Sequence, residues 1–349
     1  MTSRFPLPSS PLAWTTATCA ALPRRTVLAA GAGLAAGLAL PGVAQAQRGP
    51  VRIGILGPFS GPFAHYGGLF KGGAEAYLAS QGGKLGGHAV ELLYRDTGGP
   101  NPAQTRSLVQ ELIVKDKVDY LGGFVFTPNA LAAAPLVQQS QTPCVIFNAA
   151  TSAITAKSDY FLRTSYTLWQ VTVPLAQWAA KNGLKKVVTA VTDYGPGLDG
   201  EAAFKAEFQR QGGTVVESVR MPIATTDFTP FLQRLKASGA QAVYTFLPGG
   251  PPTLGFVKAY QENGLAKAGL RLLGTAETDE FDLPKLGDAA LGLTTAFHYS
   301  VGARLGRQPA VPGGAGGPAR CTGGQLRLGG RLGWPAPHRP DDRRHRRPA

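Results

Sequence analysis

The chain has 349 residues, 44% of them hydrophobic, which is enough for two domains of ordinary size with cores of their own. Its net charge of +14 suggests a nucleic-acid partner until it is divided along the chain: residues 49–300 carry 21 Lys and Arg against 19 Asp and Glu, and the excess sits at the two ends. A nearly neutral central region offers no basic face, so no nucleic-acid partner is expected.

Residues 1–46 read as an export signal. Arg24-Arg25-Thr-Val-Leu28 precedes a Gly/Ala/Leu stretch that ends at Pro41, and Ala44-Gln-Ala46 gives a cleavage site of the A-x-A type. The paired arginines resemble a twin-arginine signal. The competing reading is an uncleaved membrane anchor; the Gly/Ala richness, the break at Pro41 and a span of only about twenty residues disfavour it. Cleavage near Ala46 and a periplasmic location are expected. Cys19 is then removed and Cys321 lies in a basic tail, which leaves Cys144 without a disulfide partner. Its neighbours Val145 and Ile146 mark it as a buried structural thiol.

From Val51 to Ser300 apolar strand-like runs alternate with amphipathic helices. The predicted strands are Val51–Leu56, Val90–Tyr94, Tyr120–Phe124, Cys144–Phe147, Val187–Val191, Val215–Val219, Ala242–Leu247 and Leu270–Leu273. Several are near-continuous apolar runs, as strands buried on both faces should be. Asn101 caps a helix that opens with Pro102 and carries an apolar stripe of Leu108, Val109, Leu112 and Ile113. Phe228, Phe231, Leu232 and Leu235 form a second stripe, and Gly212-Gly213 and Gly239 stop helices before new strands. Strand–helix alternation of this kind implies α/β architecture with parallel sheets and right-handed crossovers.

The series divides near Arg163–Trp169. Residues 50–166 are expected to form lobe 1 and residues 167–296 lobe 2, with 297–300 as a return hinge. Leu293–Ser300 reads as the strand that leads back towards lobe 1. After Ser300 the character changes: eighteen of the 49 residues from 301 to 349 are Gly or Pro, and lysine disappears. Such a segment does not bury enough surface to offset its ordering entropy and is expected to be disordered. Its Arg/Gly/Pro/Ala composition is what GC-rich codons give when read out of register, which favours a reading-frame change near Val301 over a natural basic tail.

Two segments share one design. Val51-Arg-Ile-Gly-Ile-Leu-Gly-Pro-Phe-Ser-Gly-Pro-Phe-Ala-His-Tyr66 and Pro143-Cys-Val-Ile-Phe-Asn-Ala-Ala-Thr-Ser152 both run from a buried strand into small residues and hydroxyls. Loops at the carboxyl ends of parallel strands are where open α/β sheets bind small molecules, and the following helix start offers N–H groups to an anion.

With these landmarks in order, the chain resembles the type I periplasmic solute-binding proteins of ABC transporters, the leucine/isoleucine/valine-binding group. The matching motifs are Gly57-Pro-Phe-Ser-Gly-Pro-Phe-Ala-His-Tyr66, Asn148-Ala-Ala-Thr-Ser152, Asp193-Tyr-Gly195 and Gly287-Asp-Ala-Ala-Leu-Gly292. The resemblance implies two Rossmann-like lobes joined by hinge strands, which close on a small carboxylate ligand. It also implies a membrane permease of an ABC importer as partner, no cofactor, and a monomer. The family's last lobe-1 helices and closing strands would follow Ser300, and the sequence does not supply them there. By motif, Ala149 gives a backbone contact and Thr151 a hydroxyl and N–H, with Ser152 beside them. Tyr66 falls on an aromatic wall and Tyr194 on the tyrosine that lobe 2 presents. The family's carboxylate-binding serine aligns with Phe126, which has no hydroxyl, and Thr127 is the substitute. Glu277, with Asp279 close by, aligns with the acid that meets a ligand ammonium. Phe126 and Phe246 near the cleft make an aromatic carboxylate as plausible as a branched-chain amino acid.

Each residue has a plainer role as well. Thr151 and Ser152 are good helix caps, Tyr66 and Phe126 could be core, Tyr194 a loop tip, and Glu277 a solvated carboxylate. Catalysis is not expected: there is no G-x-x-x-x-G-K-[ST], Gly54-x-x-Gly57-Pro is not the G-x-G-x-x-G fingerprint, no nucleophile elbow surrounds Phe59-Ser-Gly61, and His65, His88 and His298 lack metal-ligand spacing. The alternative function is a ligand-sensing receptor module of the same fold that is not coupled to transport.

Overall fold

A computed structural model describes residues 49–275 and 281–299. The expected export signal, Glu277, Asp279 and the tail from Val301 lie outside the described residues.

The first half builds a six-stranded sheet. Its elements are β1 (Val51–Gly57), α1 (Ala64–Ser80), β2 (Lys84–Leu85), β3 (His88–Asp96), α2 (Pro102–Val114), β4 (Tyr120–Gly123), α3 (Thr127–Ser140), β5 (Cys144–Ile146) and β6 (Phe161–Arg163). The spatial order is β2-β3-β1-β4-β5-β6. Every pairing is parallel except β2 with β3, a short antiparallel hairpin that the apolar pattern does not signal. Asn101 caps α2 as expected, its side-chain oxygen accepting the Gln104 N–H at 3.1 Å. Val109 and Leu112 of its stripe are fully buried.

The second half builds a five-stranded parallel sheet in the order β11-β10-β9-β7-β8. It comprises α4 (Leu168–Lys181), β7 (Lys186–Thr192), α5 (Gly195–Arg210), β8 (Thr214–Met221), α6 (Thr229–Ala237), β9 (Ala242–Phe246), α7 (Pro251–Glu262), β10 (Arg271–Gly274), α8 (Leu283–Leu286) and β11 (Thr294–Thr295). Thr167 and Gln170 form a reciprocal capping box at the start of α4, which fixes where the second half begins its first helix. Of Leu293–Ser300, Thr294 and Thr295 pair with Leu273 and Gly274 at the edge of the second sheet.

All eight predicted strands are present, with ends within two residues of those read from the sequence. The chain is thus an α/β protein of two lobes, each a mainly parallel sheet with its helices. The second sheet separates two apolar clusters. Val188, Ala190 and Val243 face Leu232, Leu235 and Phe256, while Val187, Val191 and Tyr244 face Phe204 and Phe208. In the first lobe one cluster dominates, in which Leu56, Leu121, Cys144 and Ile146 pack against Val109, Leu112, Ala133 and Val137. Cys144 is wholly buried, and burial pushes its thiol far up, as suits an unreactive core group.

Candidate functional site

The site is built where strands end. At the end of β3, Asp96 accepts the N–H groups of Phe59 at 2.7 Å and Gly98 at 2.8 Å, which pins the loop between β1 and α1. Burial opposes ionisation of this carboxyl, but hydrogen bonds from Ser60, Gly98 and Phe59 outweigh it and hold the group below its usual range.

After β4 the chain makes a sharp turn. Phe124 is buried and in the left-handed region (φ 67°), and its carbonyl accepts the Ala149 N–H at 2.9 Å, which ties the β4 and β5 loops together. Phe126 is buried and packs edge-on against Phe63, ring centres 4.9 Å apart. Thr127 opens α3, and its hydroxyl lies 2.8 Å from that of Thr151, so the two turns present a pair of linked hydroxyls. Thr151 precedes a 3-10 turn (Ser152–Lys157), yet its side chain caps none of that turn's N–H groups. Arg163, at the end of β6, donates to the Thr151 carbonyl. Burial lowers the Arg163 pKa, with Asp199 acting in the opposite direction.

Lobe 2 meets this pair through the start of α5. A Cβ on Gly195 would lie 2.7 Å from the Thr151 hydroxyl and 2.9 Å from the Thr127 methyl, so only glycine permits the approach. Tyr194 precedes it, with its ring 6.2 Å from that of Phe246 at the end of β9. Burial, with Tyr166 adding to it, pushes the Tyr194 hydroxyl well above its ordinary pKa, so the group stays neutral. Four residues after Gly195, the Asp199 carboxylate accepts the Ser152 N–H at 2.9 Å, the Ser152 hydroxyl at 2.8 Å and the Trp169 indole N–H at 2.9 Å.

A second contact between lobes involves Tyr66. Its hydroxyl lies 2.5 Å from where a Cβ on Gly249 would stand, and next to it Asp282 accepts the Gly250 N–H at 2.7 Å. The neighbouring His65 stacks on Phe281 with ring centres 4.6 Å apart. Burial lowers the His65 pKa, against an opposing pull from Asp282, which favours a neutral ring in that stack.

The structure therefore brings Thr127 and Thr151 together with Gly195 of the other lobe, the residue that follows Tyr194. Phe126 sits directly beside them and Tyr66 at the second contact. Ala149 gives its N–H to Phe124, and Ser152 gives both of its donors to Asp199. Sequence reasoning missed Asp199, Trp169, Arg163 and Phe63. Asp199 carries no local signal, since a lone carboxylate near the start of a helix is favourable for the helix itself. Arg163, a lone arginine ending a short strand before the hinge, was the one available signal. Among the described residues no cluster of His, Cys, Asp and Glu could hold a metal ion.

Two lobes whose strand-end loops face each other define a binding protein of the two-lobed α/β class. The periplasmic binding protein family matches residues 50–306, and the chain belongs to that family. Over 252 residues it is 54% identical to Leu/Ile/Val-binding protein homolog 6 of Brucella melitensis, an alignment covering 72% of this chain and 65% of that protein. The chain thus spans a little under two thirds of the length of such curated relatives. Among solved structures it is similar to an ABC-transporter solute-binding protein from R. palustris in complex with 4-hydroxybenzoate. That pair shares 56% identity and a TM-score of 0.68, covering 70% of this chain and 67% of the other. A solute-binding protein from Rhodopseudomonas palustris BisB5 in complex with 3,4-dihydroxy benzoic acid matches at 41% identity and TM-score 0.68, covering 72% and 69%.

Proposed function

We propose that the chain is the solute-binding component of an ABC importer, working in the periplasm, and that it takes a small aromatic carboxylate between its lobes. One observation carries this reading. The starts of α3 and α5, one from each lobe, converge on the Thr127–Thr151 hydroxyl pair. Helix N-termini carry partial positive charge and unpaired N–H groups, so a carboxylate gains most at such a point. Phe126, Tyr194 and Phe246 supply flat apolar surface beside it, against which an aromatic ring packs edge-on or offset.

In this reading Thr127 and Thr151 hold the carboxylate, while Phe126, Tyr194 and Tyr66 wall the ligand. Ala149, whose N–H is bonded to the Phe124 carbonyl, and Ser152 shape the turn that carries Thr151. Glu277 is reserved for a ligand that carries an ammonium group. The lobes close on the ligand and the closed form is presented to a membrane permease, the protein acting as a monomer and without catalysis. The relatives that bind 4-hydroxybenzoate and 3,4-dihydroxy benzoic acid support the aromatic class. The name of the Brucella relative makes leucine the competing ligand.

Calorimetric titration with 4-hydroxybenzoate, benzoate and leucine tests the proposal. Saturable one-to-one binding of the aromatic acids, with leucine weaker or silent, is expected. Tight leucine binding with silent aromatic acids would move the ligand to the amino-acid class, and silence of all three would sink the carboxylate reading.

A further inference from the structure

We propose that Asp199 is the positioning residue of the carboxylate-holding turn, acting from the opposite lobe. This rests on the binding reading above and adds a residue that neither the motifs nor that reading assigned.

The geometry is specific. Ser152 follows Thr151 directly, and both of its donors, the backbone N–H and the hydroxyl, end on the two oxygens of one carboxylate at 2.9 and 2.8 Å. That carboxylate belongs to α5, and it also accepts the indole N–H of Trp169 on α4 at 2.9 Å. Asp199 is thereby fixed within lobe 2, since α4 and α5 bury the same cluster around Leu168, Leu175, Phe204 and Phe208. Lobe 2 thus holds a preset acceptor and lobe 1 brings the matching pair of donors.

Charge-assisted hydrogen bonds of this kind are roughly twice as strong as neutral ones, and a paired contact fixes orientation as well as distance. With Ser152 clasped on one side and the Thr151 carbonyl held by Arg163 on the other, the Thr151 side chain is left facing Thr127 and Gly195. Asp199 therefore acts through Ser152 on the placement of Thr151. Affinity for ligand is then partly set by a contact that no ligand atom touches.

The test uses the full chain and five forms: wild type, Asp199→Ala, Asp199→Asn, Ser152→Ala and the Ser152→Ala/Asp199→Ala double variant. Calorimetry with 4-hydroxybenzoate and with leucine is expected to show Asp199→Ala binding about tenfold more weakly, as the loss of a charge-assisted pair implies. Asp199→Asn, which keeps one good acceptor, should fall between it and wild type. The double variant should be no worse than Asp199→Ala, because both changes remove one contact. Amide exchange on the ligand-free chain gives a second readout: the Ser152 amide should exchange faster in Asp199→Ala, while the Ala149 amide, bonded inside its own lobe, should not. Wild-type affinity in Asp199→Ala, strict additivity in the double variant, or equal acceleration of both amides would each overturn the assignment. If wild type binds neither ligand, the carboxylate reading fails, and the exchange comparison alone decides whether Asp199 holds the turn.

Discussion

The two lobes are built on the same strand–helix plan, yet they bury it differently. In lobe 2 the sheet lies between two apolar clusters, and β7 and β9 are buried along nearly their whole length. In lobe 1, α1 buries only Gly67 of its 17 residues, and no residue of β3 is fully buried. Among the described residues lobe 2 is the more buried body; lobe 1, whose further elements the family resemblance places after Ser300, carries the turn set against it.

Core truncations test that contrast most strongly. Phe204 is fully buried and stacks on Tyr244 with ring centres 4.6 Å apart, so Phe204→Ala should cost about 4 kcal/mol. Phe70→Ala, on the half-buried α1 against Phe147, should cost only about 1–2 kcal/mol. Urea unfolding midpoints of the two variants check this, and equal losses would break the contrast. Next in size is Gly123→Ala at the end of β4. Here φ is +113° and a Cβ would press into the Leu56 carbonyl, so a loss of about 3 kcal/mol is expected on the same measurement. Little change would show that lobe 1 yields at its centre as readily as at its α1 face.

The strands of both lobes were legible because runs such as Val187–Val191 and Ala242–Leu247 avoid charge throughout, which a sheet covered on both sides demands. The hairpin at Lys84–Leu85 was not, since two residues among glycines carry no period. At the proposed site, Thr151 stood out as a hydroxyl just beyond a strand end, and Tyr194 only through the family motif. What escaped was pairing. That Ser152 faces Asp199, 47 residues further along, depends on how two lobes meet, and no local pattern encodes it. The same holds for Thr127 and Thr151, which meet only because β4 and β5 lie side by side.

Acid distinguishes the lobes more gently. Hydrogen bonds from Arg210 first, then Gln211 and Gln177, work against burial and bring the Glu207 carboxyl of lobe 2 from 4.5 down to about 2. A carboxyl depressed in this way stabilises the fold above its unfolded pKa, and that contribution is lost as pH falls from about 4.5 towards 2. Melting temperatures of wild type and Glu207→Gln should therefore differ most above pH 4.5 and converge near pH 2. A gap that stays constant with pH would mean that the ion pair with Arg210 contributes nothing specific to lobe 2.

The smallest effect is the most local. Thr151→Val keeps the shape of the side chain and removes one hydroxyl from the pair with Thr127. Since the hydroxyl lies at the junction and outside either core, stability should change by less than about 0.5 kcal/mol. Affinity for 4-hydroxybenzoate should fall about fivefold, as the loss of one neutral hydrogen bond implies. Calorimetry and a urea melt on the same sample separate the two quantities. Unchanged affinity would remove Thr151 from the ligand's partners. A large loss of stability would instead make the hydroxyl pair part of what holds lobe 1 together, and the contrast between the described parts of the two lobes would have to be redrawn.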